Sequence, residues 1–383
     1  MSPTWHLPPA SRRWQVLAAL LPFLLAGLLI AATTGARAEI SIVDHAGRTV
    51  TLPAPARRIV LSDGIDLIAL GLIDPHPVER LAGWSPRFLD EPTMALIRAV
   101  APGIDAVPGI TAGDAFPVEA ALALRPDLIV LSPYFAGQTN LVGTLEAAGI
   151  AVAILSPSPT VERPAAEQDL LKLGRLVGRE KEANAYLAFF EARIARIRDR
   201  LAAQPGLPRP KVLLEAHAGS AACCMSPGRG EGIGRFVDFA GGENIGAALI
   251  SGMAGTLSLE YIIAADPAVY IATGGGYMAS RGGVVLGPGR TFGEAEATLA
   301  RVLARPGIST LKAVRDRRAY AIWHDLARSA LNLVAIEAIA RWIHPELFAN
   351  LDPAATLATI NRDFLAVPLT GTLLVGPESA PAP

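Results

Sequence analysis

Residues 169–201 read DLLKLGRLVGREKEANAYLAFFEARIARIRDRL. Leu173, Leu176, Val177, Ala183, Tyr186, Leu187, Phe190, Ile194, Ile197 and Leu201 recur at three- and four-residue steps. No proline interrupts the run, and Pro205-Gly206 closes it. This period predicts one helix on the order of 50 Å long at about 1.5 Å per residue. A coiled coil is the competing reading, but the repeat is not sustained through clean heptads. Strand-like runs alternate with helical ones before this stretch, and the alternation starts afresh after it. The expected fold class is therefore α/β: two open α/β lobes joined by one long rigid helix, unbroken through 169–201. The expected division is a leader at 1–38, a first lobe at 39–168, a connecting helix at 169–204, a second lobe at 205–367 and a weakly ordered tail at 368–383.

Composition bounds the function. A chain of 383 residues, 51% hydrophobic, with 36 glycines and 31 prolines, suits a folded protein with many tight turns. A net charge of -1 gives no reason to expect nucleic acid as a partner. Arg12 and Arg13 precede Trp14 to Thr34, a stretch without charge, and Ala36-Arg37-Ala38 offers small residues where a signal peptidase reads. This is the form of a secretory leader cleaved after Ala38, with a single membrane anchor as the alternative. Cleavage would remove three arginines and no acid, leaving a mildly acidic exported chain. Cys223 and Cys224 are adjacent and can bridge only through a strained local ring. Two thiols are the leading reading; a strained disulfide or a ligand contact are the others.

Along the mature chain, Ile40–Val43 and Val50–Leu52 around Gly47 predict a hairpin. Ile59–Ser62, Arg80–Trp84, Leu128–Ser132 and Val152–Leu155 predict strands alternating with short helices. Lys211–His217, Val269–Thr273 and Ala319–Trp323 predict the strands of the second lobe. Two segments rhyme across the halves. Glu119 opens a short helix followed by Arg125-Pro126 and an apolar strand; Glu260 opens another followed by Asp266-Pro267 and a second apolar strand. A first-turn Glu is ordinary capping when met once. Met once per lobe, it points to matching exposed carboxylates, suited to bridging a two-fold partner with two basic sockets.

Several further marks run from Ile40 to about Phe364. They are Val43-Asp44-His45-Ala46-Gly47-Arg48 with Val50, Pro55-x-x-Arg58-Ile59-Val60, Leu176-Val177-Gly178, Phe239-Ala-Gly-Gly-Glu-Asn244 and His344-Pro-Glu-x-Phe348. In this combination the chain resembles the periplasmic substrate-binding proteins of ABC importers that take up iron-siderophores, haem and vitamin B12. The resemblance implies a monomeric periplasmic carrier, not an enzyme, whose ligand lies between two lobes held by a rigid helix. It implies a permease dimer in the inner membrane as partner, docked through Glu119 and Glu260. The expected cargo is a ferric siderophore, with haem or cobalamin as the alternative, and no resident cofactor or protein-only metal site.

The groove should be lined by loops at the carboxyl ends of strands. Those loops hold Trp84, Arg87 and Tyr134 in the first lobe, and His217, Tyr277, Arg281 and His324 in the second. Aromatic faces can stack on a broad chelate, and arginine can bind its anionic oxygens. Trp84 and Tyr134 are the expected stacking residues, Arg87 and Arg281 the expected anion contacts. Haem would want an axial Tyr or His, and the spacing selects none of the four. Gly274–Gly276 and Gly282-Gly283 bracket Tyr277 and Arg281, as where backbone approaches a ligand closely. Enzymes on this bilobed scaffold hold metalloclusters through several cysteines, which two adjacent ones do not supply. G-x-S-x-G, H-E-x-x-H and C-x-x-C do not occur. A free metal-ion carrier and a membrane-tethered sensory module are the remaining rivals.

Overall fold

The computed structural model describes residues 1–4, 39–86, 89–110, 115–220, 223–229 and 232–377. The chain divides into two compact units, Met1–Glu39 and Ile40–Pro383, and everything below concerns the second. The expected leader and its Ala38 site lie outside the described residues. Among the described residues no helix is long and apolar enough to cross a membrane.

The hairpin forms from β1 (Ile40–Val43) and β2 (Thr49–Leu52), paired antiparallel. The first lobe then runs β3 (Ile59–Leu61), α1 (Asp66–Ile73), β4 (Leu81–Trp84), α2 (Glu91–Val100), α3 (Val118–Ala123), β5 (Leu128–Leu131), α4 (Thr139–Ala147) and β6 (Ala151–Ile154). Its four strands are parallel in the order β4-β3-β5-β6. They are buried almost throughout, which is why they read as unbroken apolar runs and not as alternating ones. Helix α2 escaped the periodicity reading. Its local signal was nonetheless present: Asp90 accepts from the Thr93 N–H as N-cap, and Pro92 sits in the first turn.

Residues 169–201 are not one helix, and here the expectation is corrected. They form α5 (Asp169–Leu176) and α6 (Glu180–Ala202). Gly178 adopts the left-handed region at φ +70, and the turn closes as a Schellman motif: the Arg179 N–H donates to Gly174 O and the Gly178 N–H to Arg175 O. Gly174 also lets the two helices approach, since a Cβ there would fall 2.7 Å from that of Ala183. The apolar period carries on through the break because Leu173, Leu176 and Val177 before it and Ala183, Tyr186 and Leu187 after it belong to one core. Helix α6 alone, about 34 Å long at 1.5 Å per residue, packs on α1 of the first lobe and on the second lobe's helix 332–343. The rod is therefore shorter than expected, but it still joins both halves.

The second lobe contains β7 (Lys211–Glu215), β8 (Met225–Pro227), α7 (Gly234–Phe239), β9 (Glu243–Asn244), β10 (Ala254–Thr256), α8 (Leu259–Ala265), β11 (Val269–Gly274), β12 (Gly287–Pro288) and α9 (Phe292–Leu303). It continues through α10 (Lys312–Arg315), β13 (Ala319–Trp323), α11 (His324–Arg328), α12 (Asn332–Ile343), α13 (Pro353–Asp363), β14 (Gly371–Thr372) and β15 (Leu374–Val375). Its main sheet has the order β15-β13-β11-β7-β9, parallel except for β15. The expected loose tail is thus corrected as far as Val375. Leu373 and Val375 are buried, and the Trp323 N–H donates to Leu373 O, so this segment completes the sheet edge. Residues 378–383 lie outside the described residues.

Replacing Gly178 with Val places a branched side chain at φ +70, with its Cβ 3.0 Å from Pro55. The expected cost is about 1–3 kcal/mol, read as a lower urea midpoint at unchanged slope. An unaltered midpoint would show that the glycine does not set the break between α5 and α6.

Candidate functional site

Three parallel strands of the second lobe end side by side, and their carboxyl ends build the site. Past β7, His217 takes φ +51, held there by its N–H donating to Thr273 Oγ1 on β11 at 3.1 Å. His324 begins α11 at the end of β13, the strand beside β11. Thr273 Oγ1 lies 3.0 Å from His324 Nδ1, so one hydroxyl anchors both histidines. The imidazole centroids are 4.2 Å apart. Tyr277, on the turn after β11, brings its hydroxyl to 2.6 Å from His217 Nδ1.

Electrostatics keep this cluster neutral. Burial, then the charges of Arg281 and Arg328, holds His217 below the usual histidine range. His324 is pushed down to about 3, by burial first, then by His217 and Arg328. Burial, followed by the Asp325 charge, drives the Tyr277 phenol upward, so its O–H donates to the free lone pair of His217 Nδ1. Below the pair, Arg328 donates through Nε to Asp325 and through Nη1 to Asp63 of the first lobe, at 2.5 and 3.0 Å. Asp66 stands behind them, its carboxyl raised by burial and by Asp63.

A cavity of about 420 Å³ lies between the lobes, within the size range of small-molecule pockets. The first lobe contributes Ser156, Ser158, Pro159 and Thr160; the second contributes His217, His324, Arg328, Asn332 and Arg235. An apolar wall of Met225, Ile233, Phe236 and Met253 faces the same space, with Met253 74% exposed. The 156–160 loop is rigidly held. Ser156 N–H donates to Asp169 Oδ2, and the Gln168 amide spans the backbone of Thr160 and Arg163.

The sequence-selected residues divide. His217, Tyr277 and His324 converge into one cluster. Arg281 is exposed and near enough for its charge to act on both His217 and Tyr277. Trp84 is removed from the stacking residues: at 2% exposure its side chain is core, and its backbone N–H donates to Pro108 O. Tyr134 is 64% exposed, edge-on to Phe135, and does not line this cavity. Arg87 lies outside the described residues. Glu119 and Glu260 are both exposed in the first turns of α3 and α8.

The glycine cluster is also reassigned, because its close approaches are to protein. A Cβ on Gly276 would collide with Asp90 of the first lobe, and one on Gly274 with Val284 O. Cys223 and Cys224 are not thiols but a vicinal disulfide. Successive side chains of an extended strand point to opposite faces; the bend at Cys223, φ +156, brings the two sulfurs together instead. Arg328 was missed in the sequence. Its only signal was its position one helical turn after His324.

A bilobed α/β body with a largely apolar cavity between its halves, set with a few polar side chains, is the architecture of a binding protein for a small molecule. Residues 66–326 match the family model for periplasmic binding proteins, and the chain belongs to that family. No curated protein matches it in sequence. Among solved structures it is similar to the TroA-like periplasmic binding protein FepB from Veillonella parvula, at 25% identity and TM-score 0.78, over 88% of this chain and 99% of that one. It is similar also to a periplasmic heme-binding protein from Pseudomonas aeruginosa, at 23% identity and TM-score 0.55, over 76% and 94%. A third is Helicobacter pylori CeuE, solved as a nickel–histidine complex, at 18% identity and TM-score 0.63, over 87% and 96%. The motif-based resemblance to the iron, haem and cobalamin carriers agrees with these neighbours, which are substrate-binding proteins and not enzymes. The family implies a small-molecule ligand and an ABC permease as partner.

The lowered His324 predicts a pH-dependent stability. The unfolded chain takes up a proton near 6.5 while the folded one resists until about 3. The contribution is complete above 6.5 and is lost as pH falls toward 3. The variant His324→Gln should flatten the fall of urea stability with acidification over that window. An identical slope in both proteins would refute the buried neutral imidazole.

Proposed function

We propose that this chain is an exported, monomeric periplasmic carrier that captures a ferric siderophore and delivers it to an inner-membrane permease dimer. The observation that carries the reading is the His217–Tyr277 pair. A neutral imidazole nitrogen and a phenol oxygen 2.6 Å apart are close to the spacing of about 2.8 Å between ligands at right angles in an octahedral centre with bonds near 2.0 Å. A hard ferric ion favours the phenolate oxygen and also accepts imidazole, and metal binding would release the shared proton. A chelate that leaves two coordination positions open would therefore be completed by the protein. The apolar wall and Arg281 support an organic, anionic cargo over a bare ion. Haem or cobalamin is the second reading, since tyrosine and histidine are also axial ligands and one similar fold is that of a heme-binding protein.

Tryptophan quenching of the purified protein against ferric siderophores, haemin and cobalamin separates these readings. His217→Ala and Tyr277→Phe are each expected to weaken ferric chelate binding about tenfold or more, the equivalent of about 1.4 kcal/mol. A Soret shift with haemin, and no response to any ferric chelate, would overturn the assignment.

Delivery rests on the two exposed acids, one per lobe. Replacing Glu119 and Glu260 together with Ala should leave ligand affinity unchanged and weaken association with permease in proteoliposomes. Lost ligand affinity with intact docking would reverse that role.

A further inference from the structure

Cys223 and Cys224 are the whole cysteine content of the chain, and they are joined to each other. Their bridge stands where two parts of the second lobe are fastened together. On one side, the Cys224 N–H donates to Leu257 O at 3.1 Å, and the Leu257 N–H donates back to Cys224 O at 3.0 Å. Cys224 thereby extends by one residue the β8–β10 ladder, in which Met225 pairs with Thr256. On the other side, the Ala216 N–H donates to Met225 O at 2.7 Å, tying that ribbon to the end of β7, one residue before His217. The end of β7 is a firm anchor, because Arg305 donates twice to the Glu215 carboxylate, which also accepts from the Tyr270 hydroxyl. A carboxylate oxygen of Glu215 lies within 4.8 Å of both sulfurs. The ribbon is cavity wall: Met225, Pro227, Met253 and Ala254 line the interlobe space, as do Ala216 and His217.

We infer that the Cys223–Cys224 bridge is a redox latch on this wall. Closed, it holds the β8–β10 ribbon against the end of β7; opened by a dithiol, it releases the ribbon and weakens capture of the cargo. Opening is a thiol–disulfide exchange. A thiolate of the reductant attacks the half-buried Cys223 sulfur, since Cys224 is only 1% exposed, and the Cys224 sulfur leaves and takes up a proton. The reductant's second thiol then displaces Cys223. Two electrons and two protons pass to the pair, and the dithiol becomes a disulfide. Freed of the bridge, Cys223 gives up φ +156 for ordinary strand backbone, in which successive side chains point to opposite faces. That turn passes through Cys224 to its Leu257 and Met225 neighbours, and the ligand has to order the wall on arrival. An oxidising compartment keeps the latch closed. The inference rests on the carrier reading only for what fills the cavity.

The full chain is compared oxidised and after reduction with dithiothreitol, the excess being removed without air. Amide hydrogen exchange at Ala216, Cys224 and Leu257 is expected to quicken by about tenfold or more, while β11 and β13 keep their protection. A gallium(III) tris-catecholate, a redox-inert stand-in for a ferric chelate, should bind about tenfold more weakly to the reduced chain, as when a few wall side chains lose their order. The double variant Cys223→Ser, Cys224→Ser should behave as the reduced chain does and ignore dithiothreitol. Unchanged exchange at the three amides overturns the latch, and so does protection lost throughout β11 and β13, which is unfolding of the lobe. Faster exchange with equal affinity for the gallium chelate also overturns it, because capture would then be independent of the bridge. If the oxidised chain binds no metal chelate at all, the carrier reading fails by itself, and the three amides alone uphold or overturn the latch.

Discussion

Helix α6 carries a single apolar stripe that has to be buried on both lobes at once. Ala183, Tyr186, Leu187, Phe190, Ile194 and Ile197 are all buried. Polar contacts fix the register of that packing. Tyr186, whose phenol is held protonated by burial, donates to Ala330 O at 2.6 Å. Arg193 reaches the buried Glu337, which also accepts from Thr356. Stripping a partner from such a buried pair costs about 3–5 kcal/mol. The helix therefore acts as a brace bonded along its length, and not as a hinge.

A seam of polar contacts lies across the lobes beyond the helix. Asp63 meets Arg328, Asp90 meets Arg290 at 3.3 Å, and Asn332 bonds the backbone of Pro159. Together with the brace, these contacts leave a groove whose walls are already in place. Recognition then depends on what the walls present: neutral imidazoles, a phenol and an apolar face. A preformed site of that kind loses little ordering entropy when its ligand arrives.

Much of this was legible in local pattern. The four strands of the first lobe were read as covered runs, and the carboxyl-end rule selected His217, Tyr277 and His324. The failures share a cause. Trp84 also stands at a strand end, but the core covers it, and no local signal reports that covering. The apolar period through 169–201 runs on across Val177-Gly178 because the residues on both sides of the break enter one core. Gly178, a motif residue in sequence, is through its left-handed backbone the break itself. Cys223-Cys224 depended on a single backbone angle, and the strand at Leu374–Val375 on finding an open sheet edge.

The sequence alone determined what short-range physics dictates: the alternation of strand and helix, the two first-turn acids, the connecting amphipathic stretch and the family marks. These depend on periodicity and local chemistry, which neighbouring residues set among themselves. Tertiary structure decided which strand-end residues share one space and which arginine stands beneath the histidines. Those facts join residues as far apart as Asp63 and Arg328. Only the closing of one lobe on the other creates such neighbourhoods, because burial and pairing belong to the packed body and not to any segment of it.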